Sequence, residues 1–349
     1  MNPRFELHDG ISDIQVLLED GERLFCRARR KNGDGGWGST LAVLPSAEHP
    51  SPAMLDRFAH EHGLRNELDA AWSARPLELR RAGGRILLLL EDPGGEPLER
   101  LVGEPMEAGD FLRLAIGIVA ALGKAHQRGL VHKDVKPANI LVNCADGLTR
   151  LTGFGIASRL LRERQAPEPP EVIAGTLAYM APEQTGRMNR STDSRSDLYA
   201  LGVTFYRMLT GRLPFSATDA MEWVHCHIAR KPTAPAERLG RIPALVSEIV
   251  MKLLAKTAEE RYQTAAGVEH DLRLCLADWQ AHGRIDDFPL GQHDAPDRLL
   301  VPEKLYGREI EVETPARRFR SGGRERRAGV GSGFGLFGNW QVVGRQRTA

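Results

Sequence analysis

The sequence predicts an α+β fold of two lobes, with a small strand-rich lobe over residues 11–92, a helical large lobe over residues 93–281 and an irregular C-terminal tail. Two observations lead to this prediction. Short β-type runs separated by turn residues fill the first part of the chain, whereas helical apolar periodicity begins near Ala108. The Gly/Pro-rich segment 92–95 lies between the two patterns and is typical of a hinge.

Four segments of the first lobe have the length and composition of β-strands: Ile14–Leu18, Arg23–Ala28, Thr40–Leu44 and Arg85–Leu90. Turn-forming residues at 19–21 and 32–36 predict hairpins between the first three of these strands. Residues 54–74 have helical rather than alternating spacing, so we expect a helix after the third strand.

The second lobe has the periodicity of packed helices. Residues 111–128 place Leu112, Ile116 and Val119 on one helical face. Later helices are expected at 197–210, 219–230, 244–256 and 264–281. No internal repeat is visible, and 349 residues are enough for two or three units with cores of their own.

Composition excludes several classes of protein. A net charge of +1 over 349 residues gives no reason to expect a specific nucleic-acid partner. The four cysteines are scattered without a CxxC pair, which argues for a reducing compartment and against a disulfide scaffold or a zinc site. The longest apolar run, Ile86–Leu90, is too short to cross a bilayer. We therefore expect a cytoplasmic protein without a membrane segment.

The segment Val131–Val142 contains an aspartate, a lysine and an asparagine at the spacing of a phosphotransfer loop. Later motifs agree with it in order and spacing. With them, the chain resembles the protein-kinase family over about residues 11–281, and specifically the bacterial serine/threonine kinases. Gly175–Glu183 resembles the end of an activation segment, and Ser196–Val203 resembles the helix whose acid braces the catalytic loop.

The resemblance implies the chemistry of the loop and its cofactors, ATP and Mg²⁺. Asp134 would accept the proton of the substrate hydroxyl and orient that hydroxyl. Lys136 would neutralise charge on the transferring phosphoryl group, and Asn139 would hold a Mg²⁺ ion. These three residues form the predicted acceptor side of the site.

The resemblance also implies four structural roles in the large lobe. Asp197 would brace the backbone of the catalytic loop, and Thr176 would lie near Asp134. Glu183 and Arg261 would form a buried ion pair, the glutamate coming from the activation segment and the arginine from a later turn.

Three departures from the family pattern fall on the nucleotide side. Leu44 stands where a strand lysine should hold the α and β phosphates. Glu61 matches the helix glutamate that would pair with this lysine, and without a partner it is predicted to be a solvated surface acid. The loop at residues 19–22 has one glycine among three acids, which would repel phosphate instead of cradling it.

The third departure is Gly153, which replaces the aspartate that should bind the principal Mg²⁺ ion. The loss of such a preorganised electrostatic group typically lowers the rate by about 10²–10³. For the missing lysine and aspartate, an arginine of the small lobe or a neighbouring acid could substitute in part, but the sequence identifies neither. Leu44 and Gly153 are therefore predicted to be degenerate positions of the nucleotide site, and Asn139 is predicted to bind Mg²⁺ only weakly.

Beyond the kinase-like region, Leu299–Glu309 resembles the opening of a P-loop ATPase module, so residues 282–313 are predicted to be a linker to it. Residues 314–349 are Arg/Gly-rich, and the first interpretation is a disordered basic tail. A second interpretation is a shifted reading frame, because another frame from Gly329 can encode a strand followed by GxxxxGKS. On that hypothesis the chain is truncated, and its coding DNA would decide.

Two functions remain open at this point. In the first, the chain is a degenerate kinase-like domain that regulates protein partners, or the signalling domains of a larger sensor protein, and binds ATP weakly. In the second, it is an active serine/threonine kinase with atypical phosphate handling. The losses at Leu44 and Gly153 favour the first, whereas the retained Asp134, Lys136 and Asn139 favour the second.

Overall fold

The strand-rich and helical regions follow each other along the chain as predicted. The computed structural model describes residues 10–31, 35–82, 85–144, 147–159, 177–187 and 190–295. The predictions for part of the second hairpin turn, for Thr176 and for the tail from residue 296 onward lie outside these residues.

The small lobe is built on one antiparallel sheet with the strand order β1-β2-β3-β5-β4. Its five strands are β1 (Ile11–Glu19), β2 (Arg23–Lys31), β3 (Trp37–Pro45), β4 (Pro76–Ala82) and β5 (Arg85–Glu91). The sequence did not indicate β4, because this strand lies at the sheet edge, begins with proline and carries charged residues instead of an apolar run.

Helix α1 (Pro52–Gly63) follows β3 and begins at a proline in its first turn. Its N-cap is Ser51, whose side chain accepts a hydrogen bond from the backbone N–H of Met54. The helix ends eleven residues before the predicted boundary at residue 74. Beyond it, the side chains of Leu64, Leu68 and Trp72 pack into the core of the large lobe instead of against the sheet.

The large lobe surrounds α3, whose side chains are almost all buried. Gly202 permits the close approach of α3 to α6, because a Cβ atom there would lie 2.7 Å from the Cβ of Leu253. The helices of this lobe are α2 (Ala108–Gln127), α3 (Ser194–Thr210), α4 (Ala220–Ala229), α5 (Pro235–Arg238), α6 (Ala244–Leu253) and α7 (Ala265–His282). No helix among the described residues is long and apolar enough to cross a membrane.

Short strands frame the segment between α2 and α3. They are β6 (Glu96–Pro97), β7 (Leu130–Val131), β8 (Ile140–Val142), β9 (Thr149–Leu151) and β10 (Ser158–Arg159). β8 pairs with both β6 and β9, and β7 pairs with β10. These pairings bring residues 132–139 and 152–157 side by side, so that both motifs of the predicted site face the small lobe.

Candidate functional site

The acceptor side of the site is assembled within one loop. The Nζ atom of Lys136 lies 3.0 Å from Oδ2 of Asp134, so the two side chains form an ion pair. The side-chain amide of Asn139 donates to both the backbone oxygen and Oδ2 of Asp134, at 2.8 Å each. The turn at Pro137–Asn139 produces this contact by folding the chain back on itself. The structure therefore brings Asp134, Lys136 and Asn139 together.

The environment of Asp134 favours the ionised form of its carboxyl group. Burial raises its pKa, but the charge of Lys136 and further cationic neighbours outweigh burial, and the net pKa lies below the ordinary value. Among the described residues, its second oxygen, Oδ1, has no hydrogen-bond partner. Thr176, which was expected nearby, lies outside the described residues.

Asp197 fixes the backbone of this loop. Its two carboxylate oxygens accept hydrogen bonds from the backbone N–H groups of His132 and Lys133, at 2.8 and 2.7 Å. Lys133 has a φ of +67°, a conformation that costs a non-glycine residue about 1–3 kcal/mol. The buried carboxylate compensates for this strain, because it aligns two consecutive N–H groups on one acceptor.

Glu183 and Arg261 form a buried pair in the large lobe. The guanidinium of Arg261 donates to both carboxylate oxygens of Glu183, at 2.7 and 2.9 Å, and Ser196 donates to the same carboxylate at 2.7 Å. Burial raises the pKa of Glu183, but these hydrogen bonds outweigh burial and hold the pKa below its ordinary value. The pair ties the end of the activation segment to the turn before α7.

Glu61 does not behave as the sequence suggested. The prediction of a solvated surface acid was wrong, since Glu61 is buried and accepts a hydrogen bond from the backbone N–H of Gly153 at 2.9 Å. Burial raises the pKa of Glu61, although Arg23 and the backbone N–H groups of Gly153 and Phe154 oppose the shift. The helix glutamate is therefore joined to the large lobe directly, without a strand lysine.

Leu44 lies away from Glu61. The side chains of β3 that pack with Phe58 of α1 are those of Leu41 and Val43. Leu44 instead packs with Leu24 and other apolar side chains in a separate cluster. Since successive side chains of a strand point to opposite faces, Leu44 points away from α1, and a lysine at this position would not reach Glu61.

Sequence reasoning missed Arg23, the first residue of β2. Its guanidinium donates from Nη2 to Oδ1 of Asn139, and its Nε lies 3.0 Å from Oδ2 of Asp20. The charge of Arg23 contributes to the lowered pKa of Asp134, and it opposes the burial that raises the pKa of Glu61. The small-lobe arginine that the sequence could not identify is thus present in the site. Its strand parity was the available signal, because Arg23 shares a sheet face with Phe25, which packs beneath the sheet.

The residues present do not fit a Mg²⁺ ion in this arrangement. The amide oxygen of Asn139, the predicted metal ligand, is bonded to the guanidinium of Arg23. Gly153 supplies no carboxylate, and a Cβ atom at this position would lie only 2.6 Å from Oδ1 of Asn139. No group of three or more His, Cys, Asp or Glu side chains that could hold a metal occurs in the described part of the chain. A cation of the chain itself lies where a metal would bind Asn139.

Comparison with known proteins agrees with the fold. Residues 54–272 match the family model described as protein kinase domain. The chain is 34% identical over 273 residues to the serine/threonine-protein kinase Pkn1 of Myxococcus xanthus, which covers 76% of this chain and 38% of that relative. It is 34% identical over 193 residues to PknB of Mycobacterium leprae, which covers 55% of this chain and 30% of that relative.

A third relative is much longer than this chain. The chain is 35% identical over 310 residues to the hybrid signal transduction histidine kinase G of Dictyostelium discoideum, which covers 63% of this chain but 9% of that protein. The chain thus spans less than two fifths of the length of each of these three relatives.

Proposed function

Because the chain belongs to the protein kinase family, we propose that it is a serine/threonine kinase-like signalling domain that acts mainly through protein contacts, with weak ATP binding and impaired phosphotransfer. The contact of Arg23 with the amide oxygen of Asn139 carries this proposal. In this contact, the fixed positive charge of the guanidinium is bonded to the oxygen atom that is predicted to bind the metal. A metal ion at this oxygen would have to displace the guanidinium and would then face its repulsion.

The position of Gly153 supports the same function. A carboxylate that bridges metal and phosphate stabilises charge that develops during phosphoryl transfer, and its loss lowers the rate by about 10²–10³. Glu61 does not replace this carboxylate. It accepts a hydrogen bond from the N–H of Gly153, and burial raises its pKa, which disfavours the anionic form that a metal ligand needs.

The lengths of the relatives support a role within larger signalling proteins. Each of the three relatives above is more than twice as long as the region it shares with this chain, and one is named as a hybrid histidine kinase. We propose that the domain regulates other signalling domains of a sensor protein in a two-component setting. In this role the buried Glu183–Arg261 pair keeps the large lobe rigid whether or not phosphotransfer occurs.

A second candidate function is an active serine/threonine kinase, and the geometry around Asp134 favours it. The carboxyl group is ionised and paired with Lys136, and its Oδ1 atom has no hydrogen-bond partner among the described residues. This oxygen is buried, so a substrate hydroxyl would have to displace the groups that cover it before it could donate to it and be oriented for attack. The acceptor side alone does not bring a phosphoryl donor into position.

Phosphotransfer from γ-labelled ATP to a serine/threonine peptide library and to the protein itself separates the two functions. We expect the wild type and Asp134→Asn to give the same background signal. Asp110→Asn is the matched control, because this exposed aspartate of α2 lies outside the loop. Transfer by the wild type and Asp110→Asn that Asp134→Asn abolishes would contradict the proposed function and establish the active kinase.

A further inference from the structure

In the hairpin between β1 and β2, backbone N–H groups bind a carboxylate of the protein's own chain. Oδ1 of Asp20 accepts hydrogen bonds from the backbone N–H groups of Glu22 and Arg23, at 3.2 and 3.0 Å. Successive backbone N–H groups in a turn form a concave anion site, and phosphate-binding loops use such groups for their ligand. In this hairpin the carboxylate of Asp20 takes the N–H groups that a phosphate would need.

The cation next to this anion also belongs to the chain. Arg23 pairs with Oδ2 of Asp20 through Nε and bonds to Asn139 in the large lobe through Nη2. Its side chain is only 12% exposed, so the contact between the lobes is largely shielded from water. Asp20, Arg23 and Asn139 therefore form one polar chain from the hairpin of the small lobe to the catalytic loop.

Apolar side chains also pack between the small-lobe sheet and the large lobe. Four of them come from the small-lobe sheet and one from β8 of the large lobe, all belong to one cluster, and none is more than 4% exposed. They are Leu17, Phe25, Leu41, Leu90 and Leu141. A nucleotide whose phosphates reached Asn139 would need room for its base between the lobes, and these side chains already fill this contact.

We propose that the cleft is closed by an internal latch, in which the carboxylate of Asp20 takes the place of a nucleotide phosphate and the guanidinium of Arg23 takes the place of the metal ion. The inference deepens the proposed function and rests on it. In this state the lobes are joined without nucleotide or Mg²⁺. ATP competes with Asp20 for Arg23 and for the N–H groups of the hairpin.

Removal of the competing anion tests the latch. The full-length wild type, Asp20→Ala and Glu19→Ala are titrated with ATP by calorimetry, once with Mg²⁺ and once with EDTA. Glu19 is the matched control, since it is an exposed acid next to Asp20 and its loss changes the charge equally. We expect Asp20→Ala to bind ATP about tenfold or more tightly than the wild type, with or without Mg²⁺, which corresponds to at least about 1.4 kcal/mol. Glu19→Ala should resemble the wild type.

A double variant assigns the gained affinity to the arginine. Arg23→Met in the Asp20→Ala background should remove the gain, because the freed guanidinium is the cation that binds phosphate. Equal ATP affinities for Asp20→Ala and Glu19→Ala would overturn the latch, as would a gain that requires Mg²⁺. These two ATP-binding results would overturn the latch alone. The proposed function is tested separately, and it is retained when the wild type shows no phosphotransfer that depends on Asp134.

Hydrogen exchange of the unliganded protein gives a second measurement that does not depend on how Asp20→Ala folds. Arg23→Met should speed exchange in residues 134–140 of the large lobe as well as in the hairpin, at least severalfold. Arg29→Met is the control, since Arg29 is an exposed arginine on the same strand. Equal exchange in residues 134–140 for the two variants would show that Arg23 does not join the lobes and would overturn the proposal.

Discussion

The backbone N–H of Gly153 donates a hydrogen bond to the buried carboxyl group of Glu61, with 2.9 Å between N and Oε1. This bond joins α1 of the small lobe to the segment after β9 of the large lobe. Burial raises the pKa of Glu61, so folding shifts this group toward its neutral form. The contact needs an acceptor oxygen at this place and does not need a negative charge.

The effect of a substitution at Glu61 on the free energy of unfolding should therefore depend on whether the new side chain keeps a hydrogen-bond acceptor. We expect Glu61→Gln to stay within about 1 kcal/mol of the wild type in free energy of unfolding, whereas Glu61→Ala should lose about 1–3 kcal/mol, because it leaves a buried N–H unsatisfied. Urea denaturation at pH 7 measures both, with Asp56→Ala as an exposed control on the same helix. Equal losses for the Gln and Ala variants would contradict the role of the hydrogen bond.

The same contact has a pH dependence of defined sign. Because the pKa of Glu61 is higher in the folded state than in the unfolded state, the resulting stability is present at low pH and is lost as pH rises through the folded-state value. Relative to Glu61→Gln, the wild type should gain stability as pH falls from 7 toward 4. A constant difference between the two proteins across this range would argue against a raised pKa.

Gly153 should tolerate no side chain without movement of Asn139. Its φ is +78°, and a Cβ atom would lie 2.6 Å from the amide oxygen of Asn139. Gly21 has a similar φ of +85° and no atom within 4 Å of such a Cβ. Gly21→Ala should lose only about 1–2 kcal/mol, for the left-handed backbone.

Gly153→Ala should lose at least about 1 kcal/mol more than Gly21→Ala in free energy of unfolding, because it also displaces a buried hydrogen-bonded amide. Chemical denaturation of both variants measures the difference. For the same reason, Gly153→Asp alone is not expected to restore Mg²⁺ binding, which calorimetry with MgCl₂ can check. Equal losses in the two alanine variants would mean that Asn139 moves freely.

The order of the lobes and the acceptor side of the site were predictable from the sequence, because their signals are local. The loop around Asp134 places its acid, lysine and amide within six residues, and its turn then follows from the chain itself. The edge strand β4 was missed, because an edge position needs little apolar sequence. Helix α1 was predicted to be too long, because the helical spacing of apolar residues continues beyond the end of the helix. The side chains there pack into the large lobe instead of against the sheet.

The nucleotide side was not predictable in the same way, since it depends on closure between the lobes. β2 contains four arginines, and strand parity places Arg23, Arg27 and Arg29 on the same face, so parity alone does not single out Arg23 as the one that contacts Asn139. Leu44 was assigned by its place in a motif, but the position of α1 decides which face of β3 points to Glu61. Such contacts arise from tertiary packing and leave no periodicity in the sequence.

The ion pair of Glu183 and Arg261 should be among the most sensitive polar contacts of the fold. Arg261 also donates to the backbone oxygens of Ala255, Arg195 and Lys256, so its removal leaves several buried acceptors unpaired. We expect Arg261→Met to lose about 3–5 kcal/mol in free energy of unfolding.

An exposed pair supplies the control for this prediction. Arg273 and Glu269 lie one helical turn apart on α7, and Arg273→Met should lose no more than about 0.5 kcal/mol. Urea denaturation at pH 7 compares the two variants. Similar small losses in both would show that the buried pair adds little beyond its packing.

His227 of α4 should make the fold sensitive to mild acid. Its ring packs with those of Tyr199, Phe215 and Trp223, and Nδ1 lies 3.0 Å from the hydroxyl oxygen of Tyr199. Burial, and to a smaller extent the charge of nearby Lys256, lower the pKa of His227 from 6.5 to about 4. The folded state therefore resists protonation, whereas the unfolded state accepts a proton near pH 6.5.

The sign of the effect follows from this difference. Stability due to the neutral imidazole is fully present above about pH 6.5 and is lost as pH falls toward 4, to a total of about 3 kcal/mol. Urea denaturation between pH 7 and pH 4.5 should show a steeper loss of unfolding free energy for the wild type than for His227→Gln. His225→Gln is the matched control, because this exposed histidine lies on the same helix, and its variant should follow the wild type. Parallel curves for the wild type and His227→Gln would mean that His227 is protonated in the folded protein as readily as in the unfolded chain.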